Sequence, residues 1–325
     1  MEPFEYKHHL RLDKILSAQE LVSSKANVKA DDEMLFVITH QTYELWFKLI
    51  LHELSLLKET LVQSKATEIY PAVNKLGRIN KVLEHLVNQI AILETMMPLE
   101  FLDFRVLVGN ASGFQGIQFK MIEASLGLDF FHRYGKDYYL SKLSQADIEK
   151  VKEVENQRSL LVIVNEWLEK FPGLGDASFW KEYRAKYAKT ISEAEHNYLK
   201  VFDSLFIDAN AYPQGRSFSA KASRNALFIM LYKDHPVLQL PYALLNALLE
   251  TDEALYMWRH KHIYLVSRTI GNRVGTGGST GAAYLRGAAE SHIIFKEISE
   301  LVSFIINRHL LPSFPENLMK ELKAD

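Results

Sequence analysis

The sequence predicts an all-α protein in which long amphipathic helices pack into one helical bundle. Apolar residues recur at helical spacing over most of the 325 residues, and no segment alternates apolar and polar residues long enough to indicate a strand. The chain contains no internal repeat, low-complexity tract or Gly/Ser/Pro-rich linker. Because 48% of the residues are hydrophobic, it can bury a large core. We therefore expect residues 1–325 to form a single domain.

The composition argues against several classes of function. The formal net charge is −2, so no overall positive field attracts nucleic acid or acidic lipid. The absence of cysteine excludes disulfides, thiolate catalysis, iron–sulfur clusters and cysteine-ligated haem, and fits a reducing compartment. The charged N-terminus does not resemble a signal peptide, and no apolar run reaches the ~18 residues that span a bilayer. We expect a cytoplasmic protein that binds neither nucleic acid nor membrane.

The first long helix is expected at about residues 32–64, after a short helical pattern within residues 1–30. Acidic residues at 31–33 suit a helix N-terminus. Phe36, His40, Tyr43 and Phe47 fall on one face of this helix. An aromatic stripe is usually core, but a buried imidazole among hydrocarbon side chains needs a polar partner. His40 is therefore a candidate functional residue.

A second long helix is predicted at about residues 71–97, followed by an irregular segment at 100–116. Arg105 lies between apolar neighbours in this segment. A surface salt bridge is the ordinary role of an arginine. A planar guanidinium in a Phe-rich setting can instead bind a carboxylate, and both interpretations remain open.

The remaining helices are assigned by period and by their breakers. Pro172-Gly173, Pro213 and Pro312 end helical patterns. The expected helices cover residues 117–126, 145–171, 178–208, 217–233, 240–272 and 283–309.

Residues 258–286 combine a basic amphipathic helix with the glycine-rich stretch GTGGSTG at 275–281. Dense glycines indicate positive φ and close approach of the backbone to a bound group. The helix that follows directs free N–H groups at this space, which suits an anion. A P-loop is a poor match, because Gly281 is followed by two alanines rather than Lys-Ser or Lys-Thr.

His262 is the candidate metal ligand of this segment. His260 and His262 lie ~200° apart on a helix, so both cannot bind one metal. A single histidine can still be the axial ligand of haem iron, since the porphyrin supplies four nitrogens. A hydrogen-bonded structural histidine is the alternative. A di-iron bundle fits poorly, because only Glu193 and His196 show the Glu-x-x-His spacing it requires.

Four motifs occur in a familiar order: FVITHQTYELWFK around His40, FLDFR ending at Arg105, ASGFQGIQF, and WRHKH followed by GTGGSTGAAYLR. Together they resemble the tryptophan 2,3-dioxygenase family, from about Tyr6 to the final helix. The resemblance implies haem b buried between helices, and L-tryptophan and O2 as substrates. The indole ring would be opened to give N-formylkynurenine.

The resemblance also implies roles for individual residues. His262 corresponds to the axial ligand of the haem iron, and Ser112 to a serine near a haem propionate. His40 corresponds to the catalytic-site histidine that accepts the indole N–H, and Arg105 to the arginine that binds the substrate carboxylate. The implied substrate-binding residues are Phe36, Val37, Ile38, Thr39, His40, Phe101, Arg105 and Thr276.

The resemblance also implies a homotetramer, built as a dimer of dimers. In such a tetramer the N-terminal segment of one subunit (here residues 1–30) reaches into the active site of a neighbouring subunit. His9 stands where the family tends to have a second tyrosine, and Gly116 where a serine is common. Both changes leave the exact substrate preference open, substituted tryptophans included. The alternatives are a related haem enzyme that inserts one oxygen into an indole to form an oxindole, and a non-catalytic helical scaffold. The scaffold gives no reason for the glycine-rich stretch.

Overall fold

The structure is a computed structural model that describes residues 5–65, 67–109, 111–128, 141, 143–172, 177–271, 281–315 and 318. Every regular element within these residues is helical, and none of them forms a strand. The all-α prediction is therefore confirmed. In the same part of the chain, no helix is both long enough and apolar enough to cross a membrane.

The N-terminal half contains the helices that carry His40 and Arg105. Its elements are α1 (Tyr6–His9), α2 (Leu12–Ile15), α3 (Val22–Lys25), α4 (Glu33–Gln63), α5 (Tyr70–Leu93), α6 (Pro98–Arg105) and α7 (Ile117–Leu126).

The C-terminal half contains a third long helix, α13 (Gln239–Ile270), which carries His262. Its elements are α8 (Gln145–Glu155), α9 (Leu160–Lys170), α10 (Ala177–Tyr187), α11 (Asn197–Phe202), a π-helical segment (Asp203–Ile207), α12 (Ala220–Leu231), α13 (Gln239–Ile270), α14 (Gly281–Ser291) and α15 (Lys296–Glu300). Short 3₁₀ turns lie between several of them.

Helix α5 packs against both α4 and α13, and these two contacts are the most extensive between helices in the described structure. The buried residues of α5 recur every three or four positions, which makes one continuous apolar face. The buried face of α4 has the same spacing over Tyr43, Phe47, Ile50, Leu54, Leu57 and Leu61. Because α4 contains no glycine or proline, the helix runs unbroken for 31 residues.

Three of the predicted helices are interrupted, and each break has a local cause. The helix expected at 145–171 is two helices, because the Ser159 side chain accepts a hydrogen bond from the Val162 amide and starts α9. The helix expected at 178–208 ends at Tyr187, and Ser192 and Glu195 then form a capping box. The pattern read at 283–309 breaks after Ser291.

The segment expected to be irregular at 100–116 begins within a helix. Pro98 occupies the first turn of α6, where its missing N–H needs no partner, and the helix continues to Arg105. Between Val106 and the start of α7 the described residues contain only a short 3₁₀ helix at Gly113–Gln115, and Asn110 lies outside the described residues. Arg105 is therefore placed by the last turn of a helix.

Candidate functional site

The orientation of the His40 ring is fixed by its own helix. His40 Nδ1 lies 2.7 Å from the backbone carbonyl oxygen of Phe36, one turn earlier in α4. A carbonyl can only accept, so Nδ1 carries the proton and Nε2 remains an acceptor. Burial by surrounding protein atoms lowers the pKa of His40, although part of the side chain is exposed. The neutral, accepting form of the ring is thereby favoured.

An aromatic path connects His40 to Arg105. The Phe36 ring lies 4.0 Å from the His40 ring and 5.9 Å from the Phe101 ring, centroid to centroid. The Arg105 guanidinium lies 5.8 Å from the Phe101 centroid. Phe36 and Phe101 also pack against the fully buried Phe104 and its neighbours. The structure thus brings an acceptor imidazole, two aromatic rings and a guanidinium to one region.

The three residues between Phe36 and His40 differ in orientation. Ile38 is 44% exposed and Val37 is half-buried. Thr39 is buried, and its backbone oxygen accepts from Gln89 of α5 at 3.4 Å. Helical rotation explains the difference, because each residue turns ~100° from the last. Their role as substrate-binding residues stays a prediction.

His262 lies on α13 above an aromatic cluster that joins three helices. The ring of Trp258, one turn earlier, is 5.1 Å from the His262 ring. Trp258 packs against Phe119 of α7 at 4.6 Å, and Phe119 packs against Phe47 of α4 at 5.5 Å. This cluster supports the His262 side chain from the side of the core.

His262 has the properties of a histidine that binds a metal. Burial, together with the nearby charge on His40, lowers its pKa to about 4. The ring is therefore neutral near pH 7, which is the form that coordinates metals. Its Nδ1 is buried with no hydrogen-bond partner among the described residues. A buried ring nitrogen without a partner fits a ring that serves a bound group. His235 Nδ1 and His260 Nε2 share this property, so it is the proximity of His262 to His40 that distinguishes it.

His40 and His262 come from α4 and α13, 222 positions apart in the numbering, yet they share one region. They lie close enough for a charge on one imidazole to depress the pKa of the other. This proximity is not visible in the sequence, because it depends on both helices packing against α5. The two imidazoles are therefore neighbours in the folded chain.

Sequence reasoning missed a carboxylate beside His40. Glu44, one turn after His40, accepts two hydrogen bonds from the Gln118 amide, at its backbone oxygen (2.9 Å) and at its carboxylate (2.7 Å). Its negative charge raises the pKa of His40 and partly opposes the effect of burial. A Cβ atom at Gly116 would lie 3.1 Å from Glu44 Oε1. The i, i+4 spacing of His40 and Glu44 was the available signal.

Two further predicted residues are Ser112, which follows Arg105 in the sequence, and Thr276, which follows His262. Ser112 is half-buried, and its backbone N–H donates to the Gln115 side chain at 3.1 Å. Thr276 and most of the glycine-rich stretch lie outside the described residues. Their predicted contacts with the substrate and with a haem propionate stay predictions.

These features define a class of protein. It is an all-α protein whose site combines a neutral imidazole suited to a metal, a second imidazole suited to accept a hydrogen bond, and a cation suited to a carboxylate.

Comparison with known sequences identifies the family. The sequence profile of the family described as Tryptophan 2,3-dioxygenase matches residues 2–202 and 184–305. The chain is 36% identical to a tryptophan 2,3-dioxygenase of Alteromonas mediterranea, with 99% of this chain and 98% of the relative covered. It is 36% identical to that of Dictyostelium discoideum (98% and 87% covered) and 34% identical to tryptophan 2,3-dioxygenase B of Danio rerio (97% and 85%). The chain belongs to the tryptophan 2,3-dioxygenase family.

Proposed function

We propose that this protein is a haem-dependent dioxygenase that uses O2 to open the indole ring of L-tryptophan, giving N-formylkynurenine. One observation carries the proposal: a neutral His262 with an unpartnered buried nitrogen lies near an acceptor His40, which adjoins the Phe36–Phe101–Arg105 path. Family membership supports the same activity.

His262 is the residue that would hold the haem iron. Its low pKa keeps the ring neutral near pH 7, so that one of its two nitrogens carries no proton and can bind the iron. When bound, the haem would supply the chemistry that activates O2. The packing of Trp258 against His262 supports a fixed orientation of the ring. Ser112, in the loop before α7, is the proposed contact of a haem propionate.

His40 would hold the indole through its N–H. Because Nδ1 is engaged by the Phe36 carbonyl, Nε2 is the free acceptor. An indole N–H is a very weak acid, so His40 is a hydrogen-bond partner that positions the ring rather than an obligatory base. Phe36, at 4.0 Å from the imidazole, would pack against the indole and exclude water.

Arg105 would bind the substrate carboxylate. A guanidinium matches a carboxylate with two parallel hydrogen bonds, each worth about 1.5–3 kcal/mol when charged. The aromatic rings between Arg105 and His40 provide an apolar surface of the kind an indole requires. An amino acid bound at both ends is thus held in one orientation. Thr276 is the proposed further contact of its polar groups.

Two broader features belong to the proposal. We propose a homotetramer in which residues 1–30 contribute to a neighbouring site, supported by the exposure of α1 and α2, which bury none of their residues. We also propose a cytoplasmic location, supported by the absence of cysteine from the sequence.

The direct test is product analysis with isotope-labelled O2. The purified protein, loaded with haem and reduced, is given L-tryptophan. N-formylkynurenine carrying two labelled oxygen atoms is expected. An oxindole with one labelled atom would instead support the monooxygenase alternative. Haem-loaded protein that consumes no tryptophan would contradict both.

A further inference from the structure

A buried cluster of ionisable side chains lies one helical turn from His262. Arg259 is 3% exposed, and its guanidinium donates to the Glu123 carboxylate at 2.7 Å and to the His292 backbone oxygen at 2.9 Å. His292 Nδ1 lies 3.3 Å from the same Glu123 oxygen. All three side chains are almost completely buried. The proposed chemistry uses none of them.

The cluster joins three separate segments of the chain. Glu123 belongs to α7, Arg259 belongs to α13, and His292 directly follows α14. A second contact reinforces the last junction, since buried Asp252 of α13 accepts from the amides of Ile294 (3.0 Å) and Phe295 (2.6 Å). Helix α13 is therefore attached at two levels, roughly two turns apart, to its surroundings.

A buried ion pair of this kind does more to specify geometry than to stabilise the fold. Taking both charges out of water offsets most of their attraction, whereas removal of one partner leaves a buried charge that is strongly unfavourable. The guanidinium is planar, and its donors have fixed directions. With one nitrogen on Glu123 and another on His292, Arg259 can satisfy both acceptors only over a narrow range of rotation of α13.

We infer that Glu123 and Arg259 are positioning residues that set the rotation of α13 and thereby orient the His262 imidazole relative to His40. Arg259 and His262 are three residues apart, so their side chains leave neighbouring faces of the same turn. A rotation that breaks the contacts of Arg259 moves His262 by the same angle. The inference rests on the proposed role of His262 as the haem ligand.

Haem titration of the haem-free protein tests this inference without measuring activity. Glu123→Gln should weaken haem affinity about tenfold, the lower end of the loss caused by changes around metal ligands. Glu297→Gln is the matched control. Glu297 is also a buried carboxylate paired with an arginine, Arg216, at 3.1 Å, and it accepts the amides of residues 217 and 218. Its loss should lower stability without changing haem affinity.

A double variant separates positioning from stability. Glu123→Leu with Arg259→Met removes both charges, and replacing a buried ion pair with apolar side chains is often neutral for stability. Because buried His292 loses its contacts with both side chains in this variant, we expect the thermal midpoint of the haem-free protein to fall no further than in Glu297→Gln, together with the same tenfold weaker haem binding. This variant also decides the question if Glu123→Gln does not fold.

Two results would overturn the inference. One is wild-type haem affinity in the double variant. The other is an equal loss of affinity in Glu123→Gln and Glu297→Gln, which would mean that both act only through general stability. Failure of the wild-type protein to bind haem is a different outcome, and it would refute the proposed function itself.

Discussion

The carbonyl oxygen of Phe36 lies 2.7 Å from His40 Nδ1, while the rings of the same two residues lie 4.0 Å apart. One helical turn therefore determines the tautomer of the imidazole and also places an aromatic surface beside it. The acceptor nitrogen and the ring that would pack against an indole are positioned by a single local element. The position of Arg105 relative to His40 depends on the packing of α6 against this turn, through Phe101 and Phe104.

Arg105→Leu should raise KM for L-tryptophan about tenfold to a hundredfold, because the substrate carboxylate would lose charge-assisted hydrogen bonds worth about 1.5–3 kcal/mol each. Steady-state kinetics and haem titration are measured on the same preparation, and haem affinity should hardly change. Tryptamine, which lacks the carboxylate, is the control substrate. Its KM should be the same for the wild type and for Arg105→Leu. Unchanged KM for L-tryptophan would remove Arg105 from its proposed role.

The pH dependence of kcat/KM should report on His40 and its neighbour Glu44. Burial holds the pKa of His40 below its usual value of 6.5, so the midpoint of the acidic decline in kcat/KM should lie below that pH. Glu44 raises this pKa, and Glu44→Gln should therefore shift the decline to still lower pH. Glu59→Gln, a carboxylate change near the far end of α4, is the control and should leave the profile in place. A shift towards higher pH in Glu44→Gln would contradict the assignment.

Gly116→Ala should destabilise the protein by about 1 kcal/mol, because the added Cβ would lie 3.1 Å from Glu44 Oε1 and force the carboxylate to move. Gly116→Ser should be less harmful than Gly116→Ala, since the hydroxyl can donate to that oxygen. Denaturant unfolding measures both. Gly113→Ala is the matched control, because a Cβ there meets nothing within 4 Å. Equal stability of the two alanine variants would show that the contact has no effect.

Where apolar residues recur at helical spacing over a long stretch, the sequence predicts the ends of the helix to within one or two residues. The predicted helix at 32–64 is observed as Glu33–Gln63, and that at 240–272 as Gln239–Ile270. The breaks were missed for different reasons. Ser159 was a visible capping residue before an apolar run. The break after Ser291 was not visible, because it involves amides that are held by Asp252, about 40 residues earlier.

Some residues of the candidate site could likewise be predicted from the sequence, whereas the contacts between them could not. His40, Arg105 and His262 could be selected because their residue types are unusual in apolar surroundings, and the family resemblance then gave them roles. The contact between Glu123 and Arg259 spans 136 positions and could not be selected, since each residue alone looks like an ordinary helical charge. The hydrogen bond between Gln118 and Glu44 was equally hidden, because it joins residues 74 positions apart. The single-domain organisation of residues 1–325 stays a prediction.

The most direct test of the whole account is haem titration of the wild-type protein and of His262→Ala, followed by absorbance and compared with thermal unfolding of the haem-free forms. The wild type should bind one haem per chain. His262→Ala should stay folded and bind haem more than about a hundredfold more weakly, since the loss of outer-shell partners alone costs about 10–100-fold in metal affinity. Wild-type haem affinity in a folded His262→Ala protein would contradict the account.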